Sequence, residues 1–110
     1  MTDEEKARIR AVFAALCNMD ADALEAWLET EESGKVGFVR PGESESVGRQ
    51  AGRRLAAILR LPPGALGDED YRLMRKAIGY VRRHRAQEPA NIVTSRWRYA
   101  LMNWGHDPLL

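Results

Sequence analysis

Residues 71–85 read YRLMRKAIGYVRRHR, and the way this stretch winds decides the fold. At 3.6 residues per turn, Leu73, Met74, Ala77, Ile78, Tyr80, Val81 and His84 fall on one side of a helix. Arg72, Arg75, Lys76, Arg82 and Arg83 fall on the other, with Gly79 in the middle of their stripe. The apolar half lets the helix dock on a core. The cationic half, with a position bare of side chain, lets it lie close to a polyanion. Surface helices ordinarily mix charge signs and gain i,i+4 pairs, yet no acid stands between Tyr71 and Arg85. The bland reading is a solvated face. The closing RRHR places cations where the helix dipole favours them, so part of the run needs no function.

Outward from this stretch, the chain predicts an all-α fold, a compact bundle of about five helices. Thr2 with Glu5 forms a capping box, and Ile9, Val12, Phe13 and Leu16 recur at helical spacing up to Cys17 or Asn18. Asp20 or Asp22 starts a second, acidic helix with Leu24, Trp27 and Leu28 as its apolar face. Residues 33–46, SGKVGFVRPGESES, break the period with glycine, proline and serine and predict one longer loop within a single domain spanning 1–110. Ser44 or Ser46 caps a third helix, VGRQAGRRLAAILRL, with Val47, Ala51, Leu55, Ile58 and Leu59 inward and Arg49, Arg53 and Arg60 outward. Gly48 and Gly52 weaken its first turns. Close packing of another helix is the favoured explanation for Gly52, while Gly48 is left open between packing and a phosphate at a helix N-terminus. Asp68 caps the fourth helix, which closes near Gln87 before Pro89. Thr94 or Ser95 caps a fifth, RWRYALMNW, with Trp97, Ala100, Leu101 and Trp104 buried and Gly105 at its C-terminal turn.

Composition limits the function classes. The chain has 110 residues and a formal charge of +1, but the charge is divided. Residues 1–46 carry 11 acids against 5 bases, and residues 47–110 carry 12 bases against 5 acids. Such a split points to nucleic-acid contact or to attraction between the two halves of one fold. No apolar run approaches the ~18 residues of a membrane span, and MTDEEKAR lacks the features of a signal peptide. Cys17 is the only cysteine, which predicts a small buried hydrophobe and, without disulfides, a cytoplasmic protein. His84 and His106 are the only histidines, and no HxxxH, HExxH or Cys/His cluster occurs. No metal, no cofactor and no small-molecule substrate is therefore expected. No set of nucleophile, base and orienting group is evident, so the chain is not expected to be an enzyme.

Four pieces, LEAWLETEES (24–33), ESVGRQAGRRL (45–55), YRLMRKAIGYVRRH (71–84) and SRWRYALMNWGHDP (95–108), together resemble a family of small, mostly bacterial proteins classed as a domain of unknown function. The last piece is the most specific. The resemblance implies a common fold. Because some members carry the label "DNA-binding protein", it also implies DNA as a partner. It transfers no catalytic or binding residue.

Two functional expectations follow. In the first, the chain binds nucleic acid, DNA above all, through phosphate contacts from Arg72, Arg75, Lys76, Arg82 and Arg83 around Gly79. Arg49, Arg53 and Arg54 assist from the third helix, and Arg96 and Arg98 flank. A helix-turn-helix-like arrangement would place the fourth helix in a groove. In the second, the chain is a protein-interaction module whose acidic N-terminal half pairs with a basic helix of a partner or of a second copy, giving a homodimer.

Overall fold

Five short polar side chains set the helix starts. Thr2 Oγ1 accepts from the Glu5 amide and opens α1 (Asp3–Leu16), and Asp20 Oδ1 accepts from the Ala23 amide and opens α2 (Ala21–Leu28). Thr30 does the same for α3 (Glu31–Gly34), Ser46 for α4 (Val47–Leu59) and Ser95 for α6 (Arg96–Asn103). Each satisfies an amide that the first turn leaves unpaired. The exception is α5 (Asp68–Arg85), whose N-cap is Gly67; here the Asp70 carboxylate reaches back to the Gly67 amide at 2.9 Å. This computed structural model describes residues 1–110, and it contains these six helices, a 3-10 turn at Pro63–Ala65 and no strand.

The all-helical expectation holds, with three local differences. The acidic segment after Trp27 is not one helix running into a loop. Thr30 ends α2 by donating to the Trp27 carbonyl at 2.7 Å and starts α3 by accepting from the Ser33 amide at 3.2 Å. The segment expected as a loop from residue 33 therefore begins with a helical turn, and Ser33, Val36 and Ser46 within it are buried. Asp68 is the first residue of α5 rather than its cap, because Asp70 provides the acceptor. The helix ends at Arg85, slightly before Gln87. Between α4 and α5 runs a connection over residues 60–67 that includes the 3-10 turn, longer than the three- or four-residue turn of a helix-turn-helix.

Two helix pairs make the body. Along α1 lies α5, with Ile9 and Phe13 meeting its buried Tyr71, Leu73, Met74, Ala77, Ile78 and Val81. The second pair is α2 and α4, with Leu24 and Leu28 against Ala51, Leu55, Ala56 and Ile58. Contacts from α6 to α2, α3, α4 and α5 close the gap between the pairs. Its last turn carries Asn103, 1 % exposed. The amide oxygen accepts from Trp27 Nε1 at 2.7 Å and from Ser33 Oγ at 2.6 Å, and the amide nitrogen donates to the Ser33 carbonyl at 3.2 Å. Buried, with its amide oxygen and nitrogen both hydrogen-bonded, this one side chain ties α6 to α2 and α3.

The chain after α6 folds back. Gly105, at φ +84, lets the His106 amide donate to the Leu101 carbonyl and its own amide donate to that of Met102, the paired hydrogen bonds of a Schellman turn. Asn18 then brackets Asp107, donating to its carbonyl at 2.9 Å and accepting from its amide at 2.8 Å. The tail is thereby fixed to the end of α1.

At Gly52, α4 lies directly against the end of α6. A Cβ there would overlap the Asn103 carbonyl oxygen and stand 3.0 Å from a Leu28 methyl carbon. Packing explains this glycine, as the sequence favours. Gly52→Ala should destabilise the protein by about 1–3 kcal/mol, the usual cost of overpacking, whereas Gly64→Ala, with nothing within 4 Å, should stay within about 0.5 kcal/mol. Urea unfolding of both variants checks the contrast.

Candidate nucleic-acid interface

The cationic stripe is presented by α5. Asp68, Glu69 and Asp70 occupy its first turn and Arg82, Arg83, His84 and Arg85 its last, so both ends suit the dipole. The apolar side is consumed by packing on α1, α4 and α6, which leaves Arg72, Arg75, Lys76, Arg82 and Arg83 exposed on the opposite side. Arg72 bonds Glu69 on the same helix at 2.7 Å. Arg75, Lys76, Arg82 and Arg83 form no ion pair. Gly79 is not bare: the Arg83 guanidinium lies over it, 3.0 Å from where a Cβ would stand. The notch expected from sequence is covered by the flexible end of a neighbour one turn along.

The cations expected to assist are differently placed. Arg53 is held by Glu45 at 2.6 Å, and Arg49 lies 3.3 Å from the same carboxylate while donating to the Leu28 carbonyl at the end of α2. The hydrogen bond from Arg53 holds the Glu45 carboxyl below its ordinary range against the opposing effect of burial. Arg49 is thus a helix-end ligand as much as a surface charge. Arg60 is bound by Asp22 at 2.7 Å and Glu25 at 3.0 Å. Arg98 spans Asp107 with two bonds, 3.1 and 3.0 Å, and also donates to the Val93 carbonyl at 2.8 Å. Only Arg54 and Arg96, among the flanking residues, are exposed and unpaired. The structure therefore retains the core of the stripe and withdraws Arg49, Arg53 and Arg98 into internal pairs.

Aromatic rings line one flank of α5, which the sequence reading treated as core alone. Tyr80 stacks on Trp104 at 4.7 Å and on His84 at 5.2 Å, and His84 faces Trp97 at 6.1 Å. Trp97 Nε1 donates to the His84 carbonyl at 2.6 Å. The signal was present in the i,i+4 spacing of Tyr80 and His84, but their partners lie on α6, a long way along the chain.

No group of three or more His, Cys, Asp and Glu side chains is placed to hold a metal ion. Burial pushes the Cys17 thiol up to about 12, so it carries little thiolate at neutral pH. No helix is long and apolar enough to cross a membrane.

A family model described as "Protein of unknown function (DUF3140)" matches residues 12–102. The chain belongs to this family. The match spans every helix except the start of α1 and the last residue of α6. No curated protein and no solved structure matches the chain.

Both histidines of this DUF3140 chain are set against protonation. Burial lowers the pKa of His84 and of His106. His106 Nδ1 bonds the Leu16 carbonyl, which can only accept, so Nδ1 carries the hydrogen and Nε2 is left bare and buried without a partner. A second proton would sit there with no acceptor, and Arg85 adds repulsion. The folded values lie below the unfolded one, so the unfolded chain takes up the proton first. Stability present above pH ~6.5 should then be lost as the pH falls through that unfolded value. The melting temperature should be lower at pH 5.5 than at pH 7.5; equal values would contradict this account.

Proposed function

We propose that the chain is a nucleic-acid-binding protein that lays the exposed side of α5 along the phosphate backbone, with DNA as the expected ligand. The observation that carries this reading is the contrast between helices. Arg49 and Arg53 on α4 and Arg60 at its C-terminal cap are neutralised by acids of the same chain, while Arg75, Lys76, Arg82 and Arg83 on α5 are not. Spaced over a little more than two turns, or about 12 Å of helix, these four charges form one continuous field. The contacts are electrostatic, so affinity is modest and strongly salt-dependent. Arg54 and Arg96 are the remaining candidates for the rim.

Pairing of α2 with a basic helix of a second copy is less favoured. Asp22 and Glu25, two of its acids, already hold Arg60 within the chain. No reaction is assigned to the protein.

Four phosphates neutralised at about −0.9 each give a slope near −3.6 for log affinity against log salt on duplex DNA. Replacing Arg75, Lys76 and Arg82 together by Glu should abolish binding with the helical circular-dichroism signal intact. Lys76→Ala alone should reduce the slope by about one. Titration of labelled duplex at several salt concentrations measures all three, and an affinity indifferent to salt would rule out the phosphate-led mechanism.

A further inference from the structure

A cavity of about 220 Å³ opens beside the cationic stripe, and Phe38, Val47, Gly48, Lys76, Tyr80 and Trp104 contribute to its walls. Three features there go unused by the fold. Trp104 is 4 % exposed, and buried indole N–H groups normally find an acceptor. Trp27 donates to Asn103 and Trp97 to the His84 carbonyl, but Trp104 donates to nothing. Its Nε1 is the atom nearest to where a Cβ on Gly48 would stand, at 3.1 Å. The missing side chain leaves that N–H uncovered.

Phe38 is the second feature. Its ring is 69 % exposed although its carbonyl is pinned to the start of α4 by the Val47 amide at 2.8 Å. The backbone is thus held at the cavity mouth while an aromatic face stays unpacked. The third feature is Lys76, which lies on the cavity wall, belongs to the stripe and has no carboxylate partner. Together the three ask for a ligand with a flat apolar face, a hydrogen-bond acceptor on its edge and an attached negative charge.

We infer that the cavity receives one unpaired base of a nucleic-acid strand whose phosphates lie on α5, an assignment that rests on the phosphate-binding reading above. An edge carbonyl or ring nitrogen of the base accepts from Trp104 Nε1. One face lies on Phe38, and the adjoining phosphate meets Lys76. The volume is below the roughly 300–1,000 Å³ that enclose a drug-sized ligand, so it admits one ring system and no more. A base inside a duplex has its faces stacked and its pairing edge occupied, so only a single strand or a base turned out of the helix can enter. Every base offers a π-face and an acceptor, so the pocket discriminates by strandedness more than by sequence.

Fluorescence anisotropy with three labelled probes of equal length tests this: a single strand, the same strand with its bases removed, and a duplex. The intact strand should bind at least about fivefold tighter than the abasic one, the equivalent of one base stacked on an aromatic ring. Phe38→Ala removes an exposed ring, and Gly48→Ala sets a methyl against the Trp104 N–H. Each should bring the intact strand down to the abasic level and leave abasic and duplex binding unchanged. If intact and abasic strands bind alike, or if Phe38→Ala keeps the intact strand's advantage, the base pocket is overturned and the phosphate stripe stands. If none of the three probes binds, both readings fall.

Discussion

The buried amide of Asn103 is the constraint on which the arrangement of the bundle depends. Both polar ends of this side chain are paired inside the protein, with Trp27 on one helix and Ser33 on another. Its own carbonyl oxygen rests on Gly52 of a third. A buried amide is costly unless it is fully paired, so α6 has one seat that satisfies it. Fixing that seat also fixes Trp104, the next residue. The indole is thereby carried to Gly48, one turn before Gly52 on α4. The two glycines that weaken the start of α4 thus make one smooth track for the end of α6. The same track leaves the indole N–H beside Gly48 without an acceptor.

Charge is distributed by the same packing. Because α2 lies along α4, Asp22 and Glu25 meet Arg60 at the end of α4, while Glu45, just before α4, holds Arg49 and Arg53. These exposed pairs are worth little individually, about 0–1 kcal/mol each. Their larger effect is on the field, since they cancel charge on one side of the molecule. On the other side, α5 packs against α1 through apolar residues, with Arg10 donating to the Tyr71 hydroxyl at 2.7 Å and Lys6 near Asp68 at the rim, and its basic side faces away. The near-neutral total conceals two kinds of cation: Arg49, Arg53 and Arg60 are paired with acids of the same chain, and Arg75, Lys76, Arg82 and Arg83 are exposed without an ion pair.

The sequence by itself determined the helices and which side of each is buried. Helical spacing and capping side chains are local, so Thr2 could be found as a cap, the other caps narrowed to Asp20 or Asp22, Ser44 or Ser46, and Thr94 or Ser95, and Leu73 to Val81 found as a buried face without any partner in view; the structure selects Asp20, Ser46 and Ser95. Local signals also misled in detail: Thr30 breaks one helix and begins another through bonds to Trp27 and Ser33, and charge spacing could not separate free arginines from paired ones. Arg53 and Arg75 look alike along the chain. Only the tertiary structure brings Glu45 to one and leaves the other alone. It alone seats Asn103, covers Gly79 with Arg83, and assembles Phe38, Gly48, Lys76 and Trp104 around one cavity from four separate segments. Periodicity is written into neighbouring residues, whereas the pairing of charges and the shape of a cavity depend on distances between elements that no local pattern encodes.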